Sequence, residues 1–409
     1  MDLIIENARL LEADGLFQIG IESGKITRLA KSVEGSSENR IDARGGLVLP
    51  TFVEPHVHLD KVLLAEQFEE ASSISEARAL VKSAKKSFTP ENVKTRIERV
   101  IPWALESGVT VIRTHIDVDE NAKLSSVEAL LDLKRKYSQI LDFQIVAFPQ
   151  EGLFRESGSI ELLKKAIDLG CDVVGGLPEA EATNEDSRKH IDQTISLAKE
   201  TGLDIDSHCD VLTSGRNIEY YAREIRKNGF VGRATADHLI ALSYYDDEYA
   251  SKVIHLIKDA SMNVVTNPCT MMTGGTNDPP PKGRGITRVR ELLQAGINLA
   301  FGSDNIVDPY NPLGDFNPLS NGFLLAYGGG LSTISELSTL LRMPTFNSSL
   351  ILRLDGYGLN VGCHADLNVF KETSARELLR KHGRPSHVLK RGNLIVENIA
   401  ETKHRVAMD

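Results

Sequence analysis

An eight-stranded parallel (β/α)8 barrel of TIM-like form, with a small β-sandwich built from both chain ends, is the fold this α/β sequence predicts. Three observations predict it. Short apolar, β-branched runs alternate with helical patterns through the middle of the chain, and eight such runs close a parallel barrel. Several helical patterns end in Gly just before the next run, at Gly108, Gly170, Gly202 and Gly296, as helix C-caps do. Both ends of the chain carry short strands with Gly turns instead. The expected division is therefore 1–48 with 360–409 as the sandwich, and 49–359 as the barrel.

Taken in order, Leu3-Ile4-Ile5, Phe17-Gln18-Ile19-Gly20-Ile21 and Lys25-Ile26-Thr27-Arg28-Leu29 read as strands, separated by Asp14-Gly15 and Ser23-Gly24. The first barrel strand ends at His56-Val57-His58. The others fall at 109–115, 143–148, 172–176, 203–208, 234–238, 263–268 and 298–304. Helical patterns fill the gaps, among them 93–106, 125–136, 160–169, 191–200 and 286–295. After the seventh strand, residues 273–285 form a loop stiffened by Pro and hinged by Gly, which could close over a site. Residues 365–370 and 387–396 return to the hairpin pattern.

With 409 residues the chain can bury a large core. A net charge of −10 argues against a polyanionic partner, because phosphate binding is driven mainly by clustered Lys and Arg, so a small molecule is the expected partner. Cys171, Cys209, Cys269 and Cys363 are far apart, as in a reducing compartment. No apolar run reaches the roughly 18 residues of a membrane span, and the acidic, strand-forming start is no secretory signal. A cytoplasmic homo-oligomer with neither membrane nor nucleic-acid partner is expected.

The chemistry gathers at strand ends. His56 and His58, at i and i+2 of a strand, would share a face. His208 ends the fifth strand, His238 the sixth and Asp304 the eighth, all at the face where such barrels carry their active sites. Three imidazoles and a carboxylate form a borderline-soft site for one Zn²⁺ or Fe²⁺, with His56, His58, His208 and Asp304 as ligands. Such an ion acidifies water to near neutrality. Asp304 would accept that water's proton and His238 would orient the water or stabilise charge. His115 reads as an interior packing residue. Cys209 should face away by alternation, and Asp117 and Asp119 read as loop or cap residues.

These residues resemble the amidohydrolase superfamily and, within it, the cytosine deaminase family. The matching stretches are Phe52-Val53-Glu54-Pro55-His56-Val57-His58-Leu59-Asp60, Arg113-Thr114-His115-Ile116-Asp117-Val118, Ile145-Val146-Ala147-Phe148-Pro149-Gln150-Glu151-Gly152, Asp206-Ser207-His208-Cys209-Asp210 and Gly302-Ser303-Asp304-Asn305. The resemblance covers nearly the whole chain. It implies a mononuclear metal on the four ligands, His238 beside it, and Gln150 reading the ring amide of a substrate. Relatives with two metals carry a bridging lysine at the fourth strand's end, where this chain has Gly175-Gly176-Leu177-Pro178-Glu179.

Two departures matter. The family's deaminases carry a proton-shuttling glutamate directly after His-Cys-Asp, and here that position is Val211. Asp210, on the same face as His208, is the candidate substitute. Asn305 stands where cytosine deaminases have a second aspartate, and becomes a candidate substrate-binding residue. The expected function is metal-dependent deamination of a small nitrogen heterocycle resembling cytosine. The alternatives are removal of an N-alkylamino group from a triazine, hydrolysis of a cyclic amide, or a catalytically silent metabolite binder on account of Val211.

Overall fold

Eight strands lie side by side in chain order, each parallel to the next: Phe52–Val57, Val109–Asp117, Asp142–Phe148, Val173–Gly176, Asp204–Cys209, Ala234–His238, Asn263–Thr266 and Leu299–Phe301. This is a computed structural model, describing residues 1–33, 37–68, 71–273 and 285–399. The ring is joined where the chemistry sits. His58 N–H donates to the Asp304 carbonyl and Asp304 N–H to the His56 carbonyl, each at 2.8 Å.

Parallel neighbours need long crossovers. Here they are the helices Pro90–Glu106, Ser125–Tyr137, Ser159–Leu169, Asn184–Thr201, Asn217–Lys227, Asp247–Asp259 and Val289–Gln294. Gly170 and Gly202 end two of them at φ +118° and +72°, a region that strains any side chain bearing a Cβ. The helix expected from residue 191 starts at Asn184, because the Thr183 hydroxyl caps it by accepting from Asp186 N–H. That first turn is polar and leaves no trace in the apolar periodicity. The helix expected at 286–295 shrinks to Val289–Gln294. Its intended first turn is tied elsewhere: the Thr287 hydroxyl donates to Leu239 O at 2.7 Å and Ser243 Oγ donates to Ile286 O at 2.5 Å.

The termini form two further sheets. One runs Lys25–Ala30, Ala13–Glu22, Leu3–Leu10, Arg40–Asp42; the other runs Asn393–Glu397, His387–Lys390, Leu367–Val369, Val48–Pro50. They share one apolar core, with Ile5, Ile19, Val48, Leu367 and Leu389 all buried in it. Val48–Pro50 leads straight into the first barrel strand through Thr51, whose N–H donates to Asp366 O. The sandwich thus anchors the strand that carries His56.

No helix among the described residues is long and apolar enough to cross a membrane. Of the loop at 273–285, residues 274–284 lie outside the described residues.

Candidate active site

Four strand ends deliver the site. His56 lies on the first strand and His58 just past it, His208 on the fifth, His238 closes the sixth, and Asp304 follows the eighth. Asp304 and His238 adopt left-handed backbone at φ +60° and +70°, conformations that non-glycine residues hold only where their surroundings enforce them. Gly302 makes the crowding possible: a Cβ there would meet His56 O at 2.6 Å and Glu54 Oε1 at 2.7 Å. Glu54, buried beneath, accepts from the Ser303 hydroxyl at 2.6 Å and from His56 N–H at 3.0 Å.

His56, His58, His208 and Asp304 each place one donor atom within 4.8 Å of all the others. His58 Nδ1 lies 3.1 Å from the His115 carbonyl and 3.1 Å from Lys61 Nζ; in the tautomer that donates Nδ1–H to the carbonyl, Nε2 keeps a lone pair. That Nε2 lies 3.1 Å from His208 Nε2, and two imidazole lone pairs so close repel unless a cation or proton stands between them. Asp304 Oδ1 is 3.4 Å from Nε2 of both His56 and His58. Donors 2.0–2.1 Å from one tetrahedral ion stand about 3.3 Å apart. The quartet fits a divalent ion.

The electrostatics agree. Burial and the surrounding imidazoles hold His58 and His208 well below the ordinary histidine range, so both keep the neutral form a ligand requires. Burial also opposes charge on His56, yet Asp237 and Asp304 outweigh it and lift its pKa to about 10. The same two carboxylates that outweigh burial at His56 would stabilise a bound cation in place of its proton.

Asp237, buried behind the rings, lies 3.0 Å from His56 Nδ1, 3.4 Å from His115 Nε2 and 3.7 Å from His208 Nδ1. The His56 contact is close but off the line of a hydrogen bond. His115 does not join the quartet. Its Nε2 meets Asp206 Oδ1 at 3.0 Å, and Asp206 is also held by Arg113 at 2.6 Å, which keeps this ring inside the barrel as expected. Beside His58, Lys61 Nζ is 2.6 Å from Asp117 Oδ1, and Lys85 Nζ lies 2.9 Å from Asp117, 2.5 Å from Asp119 and 3.0 Å from Glu151. Asp119 does cap the backbone at Asn121 and Ala122, but Asp117 is the centre of a buried charge ladder rather than a loop residue.

Above the quartet opens a cavity of about 310 Å³, at the small end for ligand pockets. His58, His208, His238 and Asp304 form its floor side, Gln150, Asn305, Lys61 and Glu179 supply further polar groups, and Ile74, Leu177, Val211, Leu212 and Met271 supply the apolar wall. His238 is steadied by Asn267, whose side-chain amide is 3.1 Å from Nδ1. Asn305 reaches the cavity, but its amide donates to Asp308 Oδ2 at 2.6 Å.

The structure does not bring Asp210 to the cavity lining, and its expected role as proton carrier is corrected on that ground. At φ +52° its carboxylate turns away to accept from Asn217 N–H at 2.7 Å, Ile218 N–H at 3.3 Å and Tyr245 OH at 2.9 Å. It anchors the helix Asn217–Lys227 to the fifth strand. Val211 packs on Phe148, Leu177 and Ala180. Roles for Asp237, Lys61, Asp206 and Glu179 were missed in the sequence; Asp206, two residues before His208 in a matching stretch, and Asp237, next to His238, carried a positional hint, whereas Lys61 and Glu179 did not.

A sequence profile described as Amidohydrolase family matches residues 62–396. N-isopropylammelide isopropyl amidohydrolase of Pseudomonas sp. (strain ADP) is 33% identical over 410 residues, covering 97% of this chain and 98% of that protein. Pterin deaminase of Rhizobium rhizogenes is 28% identical over 404 residues, covering 96% and 89%. The crystal structure of 5-methylcytosine deaminase from Klebsiella pneumoniae, liganded with 5-fluorocytosine, superposes with a TM-score of 0.93 at 34% identity, over 98% of this chain and 99% of that one.

Proposed function

Since this chain belongs to the amidohydrolase family and is a hydrolase of carbon–nitrogen bonds, we propose that it deaminates a single-ring aminopyrimidine resembling cytosine. One observation carries the reading: a quartet of His and Asp donors that could hold a metal ion lies at the base of a cavity of about 310 Å³, a size suited to one heterocycle. The similarity to a protein named for 5-methylcytosine, liganded with a fluorinated cytosine, supports the ring class.

His56, His58, His208 and Asp304 would hold one Zn²⁺ or Fe²⁺. Such an ion, when bound, polarises water so that it ionises near neutral pH. The chain's residues do the rest. Asp304, with Oδ1 turned to the imidazoles, accepts the proton of the attacking water through its second oxygen. His238, held by Asn267, stabilises charge growing at the attacked carbon's oxygen. Gln150 orients the ring by its amide edge, and Asn305, tied to Asp308, shapes the end that receives the exocyclic amine. The wall of Ile74, Leu212 and Met271 excludes water.

A second reading, release of an alkylamine from an N-alkylaminotriazine, is favoured by the 33% identical relative and by that same apolar wall, which would receive the alkyl group. A panel of cytosine, 5-methylcytosine, pterin and N-isopropylammelide, assayed for ammonia and for isopropylamine with metal content measured, decides. Ammonia from a pyrimidine is the expected result. Isopropylamine from N-isopropylammelide with no ammonia from either pyrimidine would overturn the first reading in favour of the second.

A further inference from the structure

We propose that Glu179, from the end of the fourth strand, is the catalytic acid that shuttles protons across the substrate ring. The assignment rests on the deaminase reading above. Hydrolysis of an amino-heterocycle needs two proton carriers, one at the attacking water and one at the ring nitrogen. Among the described residues lining the cavity, the carboxyl groups are Asp304 and Glu179. Asp304 is committed to the water.

Position supports Glu179. Its Oε1 accepts from Val211 N–H at 3.1 Å, so the carboxyl sits against the backbone of the residue that follows His208-Cys209-Asp210. Val211 itself offers only an apolar side chain, packed on Phe148, Leu177 and Ala180. A carboxyl from the neighbouring strand thus occupies ground where the fifth strand supplies none. Glu179 Oε2 is shut off from solvent.

Its surroundings also separate it from Asp210, the acid alongside. Asp210 accepts from two backbone N–H groups and the Tyr245 hydroxyl, which stabilise its charge, and it shares a side-chain hydrogen bond with Glu179. Burial, the Asp210 charge and the hydrogen bond to Asp210 hold the Glu179 carboxyl well above the usual carboxylate range, which favours its protonated form.

The step balances. The water oxygen bonds to the amine-bearing ring carbon, one water proton passes to Asp304, and Glu179 gives its proton to the adjacent ring nitrogen. Asp304 then passes its proton to the amine, the C–N bond breaks with its electron pair on nitrogen, and ammonia leaves. The remaining hydroxyl proton returns to Glu179, leaving a ring carbonyl beside an N–H.

The test is Glu179→Gln, which preserves an acceptor for Val211 N–H and removes the transferable proton. With zinc content and Tm at wild-type values, kcat for ammonia release from the panel's best pyrimidine falls by roughly 10²- to 10⁴-fold, KM changes by less than about threefold, and the alkaline limb of the kcat profile disappears. A kcat within about threefold of wild type, or a variant profile with both limbs intact, overturns the assignment. Should Gln disturb the fold, Glu179→Ala with added formate replaces it: about tenfold rescue supports the role, and no rescue in metal-loaded protein overturns it. A wild-type protein that releases no ammonia from any pyrimidine defeats instead the deaminase reading on which the role depends.

Discussion

Asp237 faces three of the site's imidazole rings from behind, 3.0 Å from His56 Nδ1. Carboxylates in that position fix the orientation and basicity of a ligating imidazole, and their loss costs about 10- to 100-fold in metal affinity. Asp237→Asn should therefore bind zinc about 10- to 100-fold more weakly in a competition titration against a chelator, while far-ultraviolet circular dichroism stays unchanged. Unaltered affinity would make Asp237 a mere packing residue. The sequence made His238 visible and hid Asp237 beside it. A histidine at a strand end invites a chemical role, whereas a carboxylate acquires one only through the ring it touches, and His56 is far away along the chain.

At the scale of elements, the helix Ile74–Lys85 is pinned to the second strand by charge. Burial opposes the Lys85 ammonium, yet Asp117, Asp119 and Glu151 together hold it well above the ordinary lysine range. Removing one member of such a buried set leaves its partners uncompensated, at a cost of about 3–5 kcal/mol. Lys85→Met should lose about that much in urea unfolding, and because Lys61 and Asp117 adjoin His58, substrate affinity should weaken as well. A loss below about 1 kcal/mol would mean that water compensates the acids. Strand and helix order was legible because hydrophobic period and Gly caps are local signals. Where a tertiary bond competes for a turn, as Leu239 O does for the Thr287 hydroxyl, the local signal overran the helix.

At the scale of the whole molecule, metal binding and folding are one equilibrium, because the donors come from strands one, five and eight and meet only when the ring is joined. A ligand that binds only the folded state at about 1,000 times its Kd stabilises by about 4 kcal/mol. Dialysis against a strong chelator should lower Tm by several degrees, and zinc should restore it; a Tm indifferent to chelation would contradict the quartet. The sequence by itself determined the barrel, the terminal strands and the convergence of His56, His58, His208 and Asp304, since each is written in a short motif whose strand-end position follows from local periodicity. Only the tertiary structure decided which charges lie behind and beside them: Asp210 is drawn off to a helix start, Asp117 lies between two lysines, and Glu179 is carried to Val211. Those pairings depend on distances between neighbouring strands and loops, and a one-dimensional pattern fixes the order of such elements without fixing the approach of their side chains.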